Sequence, residues 1–470
     1  MKIMKTKNYL KVIYAIAVML LLGNMAFAQE TNPTDTLTDH VKKLNDDVSF
    51  LKKIQFSGYI LAQYQSIDSA GAGSTEFYKS VGNVKNQFAL REARIKLVYN
   101  GNLSQYVFQF DATERGVAIK DMYAKFTEPW LKTVSLTVGH MNRPFGFEIG
   151  YSSGDRESPE RARMSQTIFP SERDLGAMLT FQAPKTSKWN PLKLEMGLYN
   201  GTGGANAAGT NLEFDSKKDF IGHLTYNKSL KNEKLNFGVG VSYYNGGWRD
   251  GSTDKYDMNN IAGVEQFVKT SNTSFIGSIT KREYYGVDAQ VNMDLPWGLA
   301  TLRGEYITGS QPGTSSSSTS PQTAPTSTSN VTTKVVVPNG NYNKTKDTTY
   351  TVATGATTTT ASPVYNRNFN GGYFYFIQNI AKTKFQVTVK YDWYDPNTKI
   401  SGKQIGVKNS NTSSADIKYS TLGLGLAYKW DNNIKITAYY AMVQNEVTLL
   451  KGYEHEIPDN VFTLRLQYKF

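Results

Sequence analysis

The strongest constraint on this chain is a two-residue alternation of apolar and polar side chains. The last such segment alternates the apolar Phe462, Leu464, Leu466, Tyr468 and Phe470 with the polar Thr463, Arg465, Gln467 and Lys469. The same pattern recurs from Lys384 to Trp393, from Leu422 to Tyr428 and from Ile434 to Tyr440. A strand with one apolar and one polar face is typical of a barrel wall between lipid and a wet lumen.

The links between these segments are a second constraint. About sixteen segments can be placed, each near the ~9–11 residues that a tilted spanning strand needs. They fall near 54–66, 86–99, 104–112, 118–127, 132–141, 173–183, 191–200, 217–227, 234–246, 280–294, 297–309, 369–380, 383–394, 417–430, 433–445 and 459–470. Tight turns at 100–102, 295–296, 381–382 and 431–433 alternate with long links at 67–85, 142–172, 247–279, 310–368, 395–416 and 446–458, and only 113–117 fails to be long.

Outer-membrane barrels have short periplasmic turns and long extracellular loops, and their mean hydropathy is low because only alternate residues face lipid. The mean hydropathy here is −0.44. The sequence therefore predicts an all-β fold, a transmembrane antiparallel β-barrel of about 16 strands over residues 54–470. The last strand, ending in Phe470, would close it.

The N-terminus has the three parts of a secretory signal peptide. Basic residues precede an apolar stretch over 12–22, and Ala26-Phe27-Ala28 supplies small residues at the expected cleavage site. We predict a signal peptide over 1–28, export, and a multi-pass β-barrel in a Gram-negative outer membrane.

Residues 29–53 are expected to form a periplasmic N-terminal segment. Within it an apolar stripe has heptad spacing, formed by Leu37, Val41, Leu44, Val48 and Leu51. Such a stripe predicts a helix, but two heptads are too short to be stable alone. The helix is either a small coiled coil joining identical subunits, three being the expected number, or an amphipathic helix packed on the mouth of its own barrel.

Composition excludes several classes of site. The chain has no cysteine and four well-separated histidines, so neither a disulfide framework nor a thiolate or imidazole metal cluster is expected. Its formal charge is +12. For an exported chain this basic excess favours anionic solutes, outer-membrane lipid or lipopolysaccharide as partners over nucleic acid. No cofactor is expected.

The link at 310–363 differs from the others because serine and threonine dominate it, as in Ser315–Thr319 and Thr357–Thr360. Such a stretch buries too little apolar surface to order itself. It is predicted to be an extracellular loop, either a surface shield or a tolerated flexible insertion.

Catalytic chemistry is not indicated. No Ser/His/Asp constellation gathers on neighbouring predicted elements, so we predict no enzyme and no catalytic residue. His140 is a weak candidate base at a strand end. The spacing of Asp254, Asp257 and Asn259 allows a calcium loop, although a solvated loop is the simpler interpretation.

The link at 142–172 is rich in charged and aromatic residues, and here the sequence resembles the phosphate-selective porin O and P family. The resemblance covers at least residues 88–183 and rests on motifs in a fixed order. These are Leu90-Arg91-Glu92-Ala93-Arg94-Ile95-Lys96-Leu97, Phe108-Gln109-Phe110-Asp111, Lys120-Asp121-Met122-Tyr123, Val138-Gly139-His140-Met141-Asn142-Arg143-Pro144-Phe145-Gly146-Phe147-Glu148, Ser152-Ser153, Pro159-Glu160-Arg161 and Arg173-Asp174-Leu175-Gly176.

The resemblance implies a trimer of sixteen-stranded barrels whose third loop folds inward, with arginines and lysines conducting anions. Arg91, Asp121 and Arg161 match positions of the family's pattern. Glu92 stands where the family has a second arginine, and Ile149 where phosphate-selective members have lysine. The segment 143–174 holds five arginines and six carboxylates, so it is about neutral. These departures argue against a dedicated phosphate trap.

The main hypothesis is an outer-membrane porin for passive diffusion of small hydrophilic solutes, with a possible preference for anions or phosphate. The candidate pore-lining residues are Arg91, Arg94, Asp121, Arg143, Arg156, Arg161 and Arg163. Strand parity places Arg94 in the lumen and leaves Arg91 ambiguous, unless a bulge intervenes. The alternative is a surface adhesin or structural anchor that presents the Ser/Thr-rich loop.

Overall fold

The computed structural model describes residues 33–70, 74–78, 82–203, 213, 215–230, 234–322, 326–337 and 348–470. The predicted signal peptide at 1–28 lies outside these residues. Within them, no helix has both the length and the apolar character needed to cross a bilayer.

The chain divides into an N-terminal unit ending at Ile54 and a second unit from Gln55 to Phe470. The first unit contains helix α1, Pro33–Leu51. This confirms the helix expected from the heptad stripe. Val41, Leu44 and Val48 of that stripe are exposed in the single chain.

The second unit consists mainly of strands, with a short helix α2, Arg163–Ile168. The first nine strands are β1 Ile54–Ile67, β2 Asn86–Asn100, β3 Ser104–Thr113, β4 Gly116–Thr127, β5 Val134–Asn142, β6 Arg173–Gln182, β7 Leu192–Tyr199, β8 Asp219–Leu230 and β9 Leu235–Arg249. The others are β10 Asp254–Ile261, β11 Val264–Ser271, β12 Ile279–Leu295, β13 Gly298–Gly313, β14 Thr326–Val337, β15 Thr348–Ala361, β16 Val364–Asn379, β17 Phe385–Asp395, β18 Tyr419–Lys429, β19 Ile434–Asn445 and β20 Val461–Lys469.

Sixteen of these strands close an antiparallel barrel, which confirms the predicted fold. The ring runs through β1 to β9, β12, β13 and β16 to β20, and β20 pairs with β1. At the closure, Gln63 of β1 lies opposite Arg465 of β20. The backbone N–H of Gly58 donates to the carbonyl of Phe470 at 2.9 Å.

The alternation predicted from the sequence is visible in the burial of β20. Phe462, Leu464 and Leu466 are 38 to 49% exposed on the outer face, whereas Thr463 and Arg465 are at most 5% exposed on the lumen side. The apolar outer band is the surface that hydrocarbon covers, and the polar inner face is the wall of the lumen.

Two predicted long links contain strands that the sequence analysis missed. The link at 247–279 holds the hairpin β10–β11, and Lys255 to Asp257 of β10 pair in parallel with the start of β16. The Ser/Thr-rich link at 310–363 was expected to lack regular structure, and this was wrong: β14 and β15 form a separate two-stranded sheet within it. Threonine and valine suit extended backbone, and the pairing of the two strands supplies backbone hydrogen bonds along the hairpin.

Candidate functional site

The link between β5 and β6, residues 143–172, turns into the barrel, and we call it the constriction loop. Its turn is made at Gly146, whose φ of 58° favours glycine. Just beyond, the backbone N–H groups of Phe147 and Glu148 donate to the Glu305 carboxylate on β13 at 3.1 and 3.0 Å. Strand β13 lies far from β5 and β6 around the ring, so the loop enters the lumen.

One half of the constriction loop is apolar and packs on an aromatic wall inside the barrel. Phe145 lies 5.1 Å from Phe169 of the same loop and 6.4 Å from Tyr284 of β12, ring centre to ring centre. Glycines on the wall make room for it. A Cβ at Gly286 would lie 2.8 Å from Phe145, and one at Gly371 would lie 2.9 Å from Met164 of the loop. This packing buries the apolar side chains and anchors the loop.

The other half is polar and reaches the opposite wall. Ser153 hydrogen-bonds Tyr59 of β1 at 2.8 Å, and Gln467 of β20 donates to the Gly154 carbonyl at 2.7 Å. The same half also contacts the first wall, where Arg303 of β13 forms an ion pair with Glu157 at 3.0 Å. The loop therefore spans the lumen from one wall to the other, as the resemblance implied.

Arg91 and Arg94 of β2 both reach the constriction loop region and both are paired with carboxylates. Arg91 makes a bidentate pair with Glu160 at 2.8 Å, and Arg94 lies 3.1 Å from Glu92. The ladder between β2 and β3 begins at Arg94 opposite Asp111. Upstream of it the alternation relaxes, so the neighbouring Arg91 and Glu92 both face the lumen.

The four loop arginines proposed as pore lining do not form one ring. Arg161 forms an ion pair with Glu172, and Arg156 donates to the Pro159 carbonyl at 3.1 Å. Arg143 lies over the Phe169 ring at 4.9 Å, and Arg163 lies over the Tyr419 ring of β18 at 3.7 Å. All four are buried, at 4 to 9% exposure. Their guanidinium groups hold the loop in place through these contacts and also add positive charge to the lumen.

Asp121 of β4 forms an ion pair with Arg173 of β6 at 2.6 Å. Around it and the paired arginines lies a belt of charged side chains between the loop and strands β2 to β6 and β20. The belt comprises the basic Arg91, Arg94, Lys120, Arg156, Arg161, Arg173 and Arg465 and the acidic Glu92, Asp111, Asp121, Glu160 and Glu172. Within the described residues the belt has more cations than anions.

Glu160 and Glu172 of the loop are held in their charged form by these cations. Burial alone raises the pKa of Glu172, but Arg161 and Lys120 outweigh burial and place this pKa well below its usual range. Burial likewise opposes ionisation of Glu160, and Arg91 lowers its pKa overall. These two loop carboxylates are therefore fixed negative charges near neutral pH.

A second buried charge cluster was missed by the sequence analysis. Lys390 of β17 lies 2.9 Å from Asp392 and 3.6 Å from Glu76, which belongs to the link between β1 and β2. Burial raises the pKa of Glu76 to about 7, with Lys390 lowering it and Asp392 raising it. The polar parity of β17 placed Lys390 and Asp392 in the lumen, but nothing in the sequence brought Glu76 to them.

The weak catalytic and metal candidates gain no support. His140 is buried in the barrel wall, 5% exposed, and lies opposite Met122 in the ladder between β4 and β5. Asp254, Asp257 and Asn259 lie on strand β10, where Asp254 pairs with Lys269 at 2.7 Å. Across the part of the chain that is described, no group of three His, Asp or Glu side chains could hold a metal ion.

Comparison with solved structures identifies the architecture. OprB of Pseudomonas putida matches with a TM-score of 0.50 and 9% identity, over 91% of this chain and 97% of that one. This chain has the fold of an outer-membrane porin. The closed barrel with its apolar outer band makes it an outer-membrane β-barrel protein.

Two further matches are the outer-membrane channel DcaP of Acinetobacter baumannii and Salmonella typhi OmpF in complex with daunomycin. Each has a TM-score of 0.48, with 11% and 12% identity respectively, over 89% of this chain and 97% of the other. No protein-family model matches the sequence. No curated protein matches it either.

Proposed function

We propose that this protein is a diffusion porin for small hydrophilic solutes, with a preference for anions. The observation that supports it is the constriction loop, which crosses the lumen and faces the charged belt on strands β2 to β6 and β20. An ion passing the loop must pass this belt. Fixed guanidinium and ammonium groups lower the barrier for an anion, and neighbouring carboxylates keep it from being trapped.

Arg91, Arg94, Asp121, Arg143, Arg156, Arg161 and Arg163 remain our candidates for the pore lining. Most of them have a carboxylate or carbonyl partner, which weakens a binding site built for phosphate alone. A phosphate preference, implied by the family resemblance, is therefore proposed only as a secondary property. Phosphate would compete with chloride for the cations of the belt without blocking the passage of chloride.

Planar-bilayer recording tests the proposal. We expect ohmic conductance in potassium chloride and a reversal potential in a salt gradient that shows chloride to be more permeant than potassium. Adding phosphate should lower chloride conductance at most modestly. A reversal potential of the opposite sign would contradict the anion preference, and absence of conductance would contradict the porin itself.

We also propose that the protein assembles as a homotrimer through helix α1. The exposed Val41, Leu44 and Val48 form one stripe of that helix, and a stripe with heptad spacing is buried when identical helices pair. Substituting Leu44 with Asp should lower the temperature at which the oligomer dissociates on a gel. Unchanged dissociation would favour the helix packing on its own barrel.

An adhesin or anchor is the second candidate function. It is favoured by one observation, that β14 and β15 form a sheet of their own, separate from the barrel sheet. Deleting 326–361 separates the two functions. An anchor would lose surface binding and keep its conductance, whereas a porin would show no binding to lose.

A further inference from the structure

A cavity of about 320 Å³ lies beneath the constriction loop, on the side of the barrel where the short turns are. Its position follows from Gln105 at the start of β3 and Lys125 near the end of β4, both next to short links. Its roof is the first part of the constriction loop. Cavities of ~300–1,000 Å³ are large enough for small-molecule ligands.

The charges that line the cavity do not cancel. Asp121 is paired with Arg173 at 2.6 Å, Glu195 with Lys193 at 2.8 Å, and His223 hydrogen-bonds Asp288 at 2.9 Å. Lys96 of β2 and Lys125 also line the cavity, and within the described residues neither forms an ion pair. The lining therefore has two uncompensated ammonium groups.

Arg143 adds a buried donor at the roof. Its side chain is 4% exposed, one guanidinium nitrogen donates to the Ser171 carbonyl, and its Nε has no hydrogen-bond partner among the described groups. A buried donor without a hydrogen-bond partner is destabilising, so a ligand oxygen that accepted from this nitrogen would be bound favourably. An anionic oxygen suits all three cations.

Gln105, Thr137, Asn142 and Thr180 also line the cavity, and one side of the lining is apolar. Met178 of β6 and Tyr123 of β4 are partly exposed to the cavity and pack against the aromatic cluster that holds the loop. Pro144, Phe145 and Met141 complete this side. Against this apolar side a small inorganic anion would give up hydration and gain few donors, whereas an apolar body would gain by leaving water.

We propose that this cavity is a binding site for small carboxylates with an apolar or aromatic body, a solute class that the porin would pass. The carboxylate contacts Arg143, Lys96 or Lys125, and the body lies on Met178 and Tyr123. The inference rests on the proposed porin function for its transport meaning, but binding itself can be measured without transport. Affinity should be weak, because a solute that binds tightly cannot leave.

The test uses benzoate as the probe. Acetate is the comparison ligand, because it has the same carboxylate but only a methyl group in place of the aromatic ring. Saturation-transfer NMR on the full-length protein in detergent should show millimolar benzoate binding and at least about fivefold weaker acetate binding. The double variant Lys96→Gln, Lys125→Gln should weaken benzoate at least about fivefold. Met178→Gln should weaken benzoate and leave acetate unchanged, a split that general loss of structure would not produce.

The matched control is Lys228→Gln, Lys234→Gln, which removes the same charge from exposed positions on β8 and the following turn, outside the cavity. It should bind benzoate like the parent. Equal weakening in both double variants, or equal binding of benzoate and acetate, would overturn the site. Potassium chloride conductance is measured on the same samples. A conducting channel without benzoate binding refutes the inference alone, and a non-conducting protein that binds benzoate refutes the porin alone.

Discussion

The two long links at 143–172 and 310–363 differ in their content of large apolar side chains and in the contacts that hold them. The constriction loop has large apolar side chains such as Phe145, Met164 and Phe169, each at most 2% exposed inside the lumen. The Ser/Thr-rich link has few such side chains, and most of its described length is the hairpin β14–β15, which pairs only with itself. Of these two links, the one with more large apolar side chains is the one that packs inside the barrel.

The beginning of the Ser/Thr-rich link is an instructive exception. The Ser320 N–H donates to the Thr167 carbonyl of the constriction loop at 2.9 Å, and Arg282 of β12 donates to Ser320 Oγ at 2.9 Å. Arg367 of β16 holds the Thr314 carbonyl at 2.8 Å. Residues 314–322 are thus held by lumen arginines, without a core of their own. Residues 314–322 therefore lie against the lumen wall like the constriction loop, whereas β14 and β15 pair only with each other.

The largest expected effect comes from removing the constriction loop. Replacing 147–168 by a short Gly/Ser linker should raise single-channel conductance roughly threefold, because the loop no longer divides the lumen. The barrel should also lose thermal stability, since the buried apolar contacts of Ile149, Met164 and Ile168 go with it. Bilayer recording and thermal melting measure the two effects. Unchanged conductance would mean that the loop is not the constriction.

The next effect is on selectivity in the charged belt. Glu160→Gln removes the carboxylate that Arg91 and Arg465 share, and Glu92 remains as a partner of Arg91. Chloride permeability should rise about threefold and potassium permeability should fall by a similar factor, the effect of one charge ~6 Å from the path in water. Arg91→Gln should shift the reversal potential the other way. Breaking a buried pair costs ~3–5 kcal/mol, so both variants need a folding check by thermal melting. If both variants shifted the reversal potential in the same direction, the assignment of Arg91 and Glu160 to the ion path would be contradicted.

A smaller effect should appear with pH at Glu76. Burial raises its pKa to about 7 from a usual value near 4.5, so the folded protein binds this proton more tightly than the unfolded chain. The stability that the proton contributes is present at low pH and declines as pH rises from near 4.5 through about 7. Over the same range Glu76 gains charge beside Lys390, Asp392, Glu160 and Arg163, and anion preference should fall by about twofold.

Reversal potentials at pH 5.5 and 8 measure this change, and Glu76→Gln should abolish most of it. Burial also raises the pKa of Asp459, to about 6, so a residual step at lower pH is expected in the variant. A full-sized step in Glu76→Gln would assign the pH dependence to other groups.

The smallest effect is expected from deleting the hairpin at 326–361, which should change conductance by less than ~1.3-fold, because the belt and the constriction loop are untouched. Extending the deletion to 314–361 removes the segment that Arg282 and Arg367 hold, and conductance should then become noisier or larger. Identical recordings from both deletions would show that residues 314–322 do not support the constriction loop.

Strand number, order and facing could be predicted because they depend on local patterns. The alternation in β20 placed Thr463 and Arg465 inside and Leu464 and Leu466 outside, as the structure has them. The hairpins β10–β11 and β14–β15 were not predicted, since their polar sequences lack the apolar face on which the argument relied.

The site could be predicted only in part. The resemblance named Arg91 and Arg161, but their partners Glu160 and Glu172 turn candidate pore charges into ion pairs. Glu305 and Arg303 of β13 also hold the constriction loop, and no short-range signal connects a strand with a loop about 150 residues earlier. The alternation along β13 indicates that these side chains face the lumen. It indicates the same for every lumen residue, so it does not single out the two that contact the loop.

By itself the sequence determined a sixteen-stranded barrel, because the two-residue alternation and the alternation of link lengths are local properties of each strand and each link. The tertiary structure decided what fills the lumen. Whether Arg94 is a free charge or a partner of Glu92, and whether Lys125 faces an open cavity, depends on which loop folds inward and where it is anchored. Those contacts join residues far apart in the chain, so they exist only once the ring has closed.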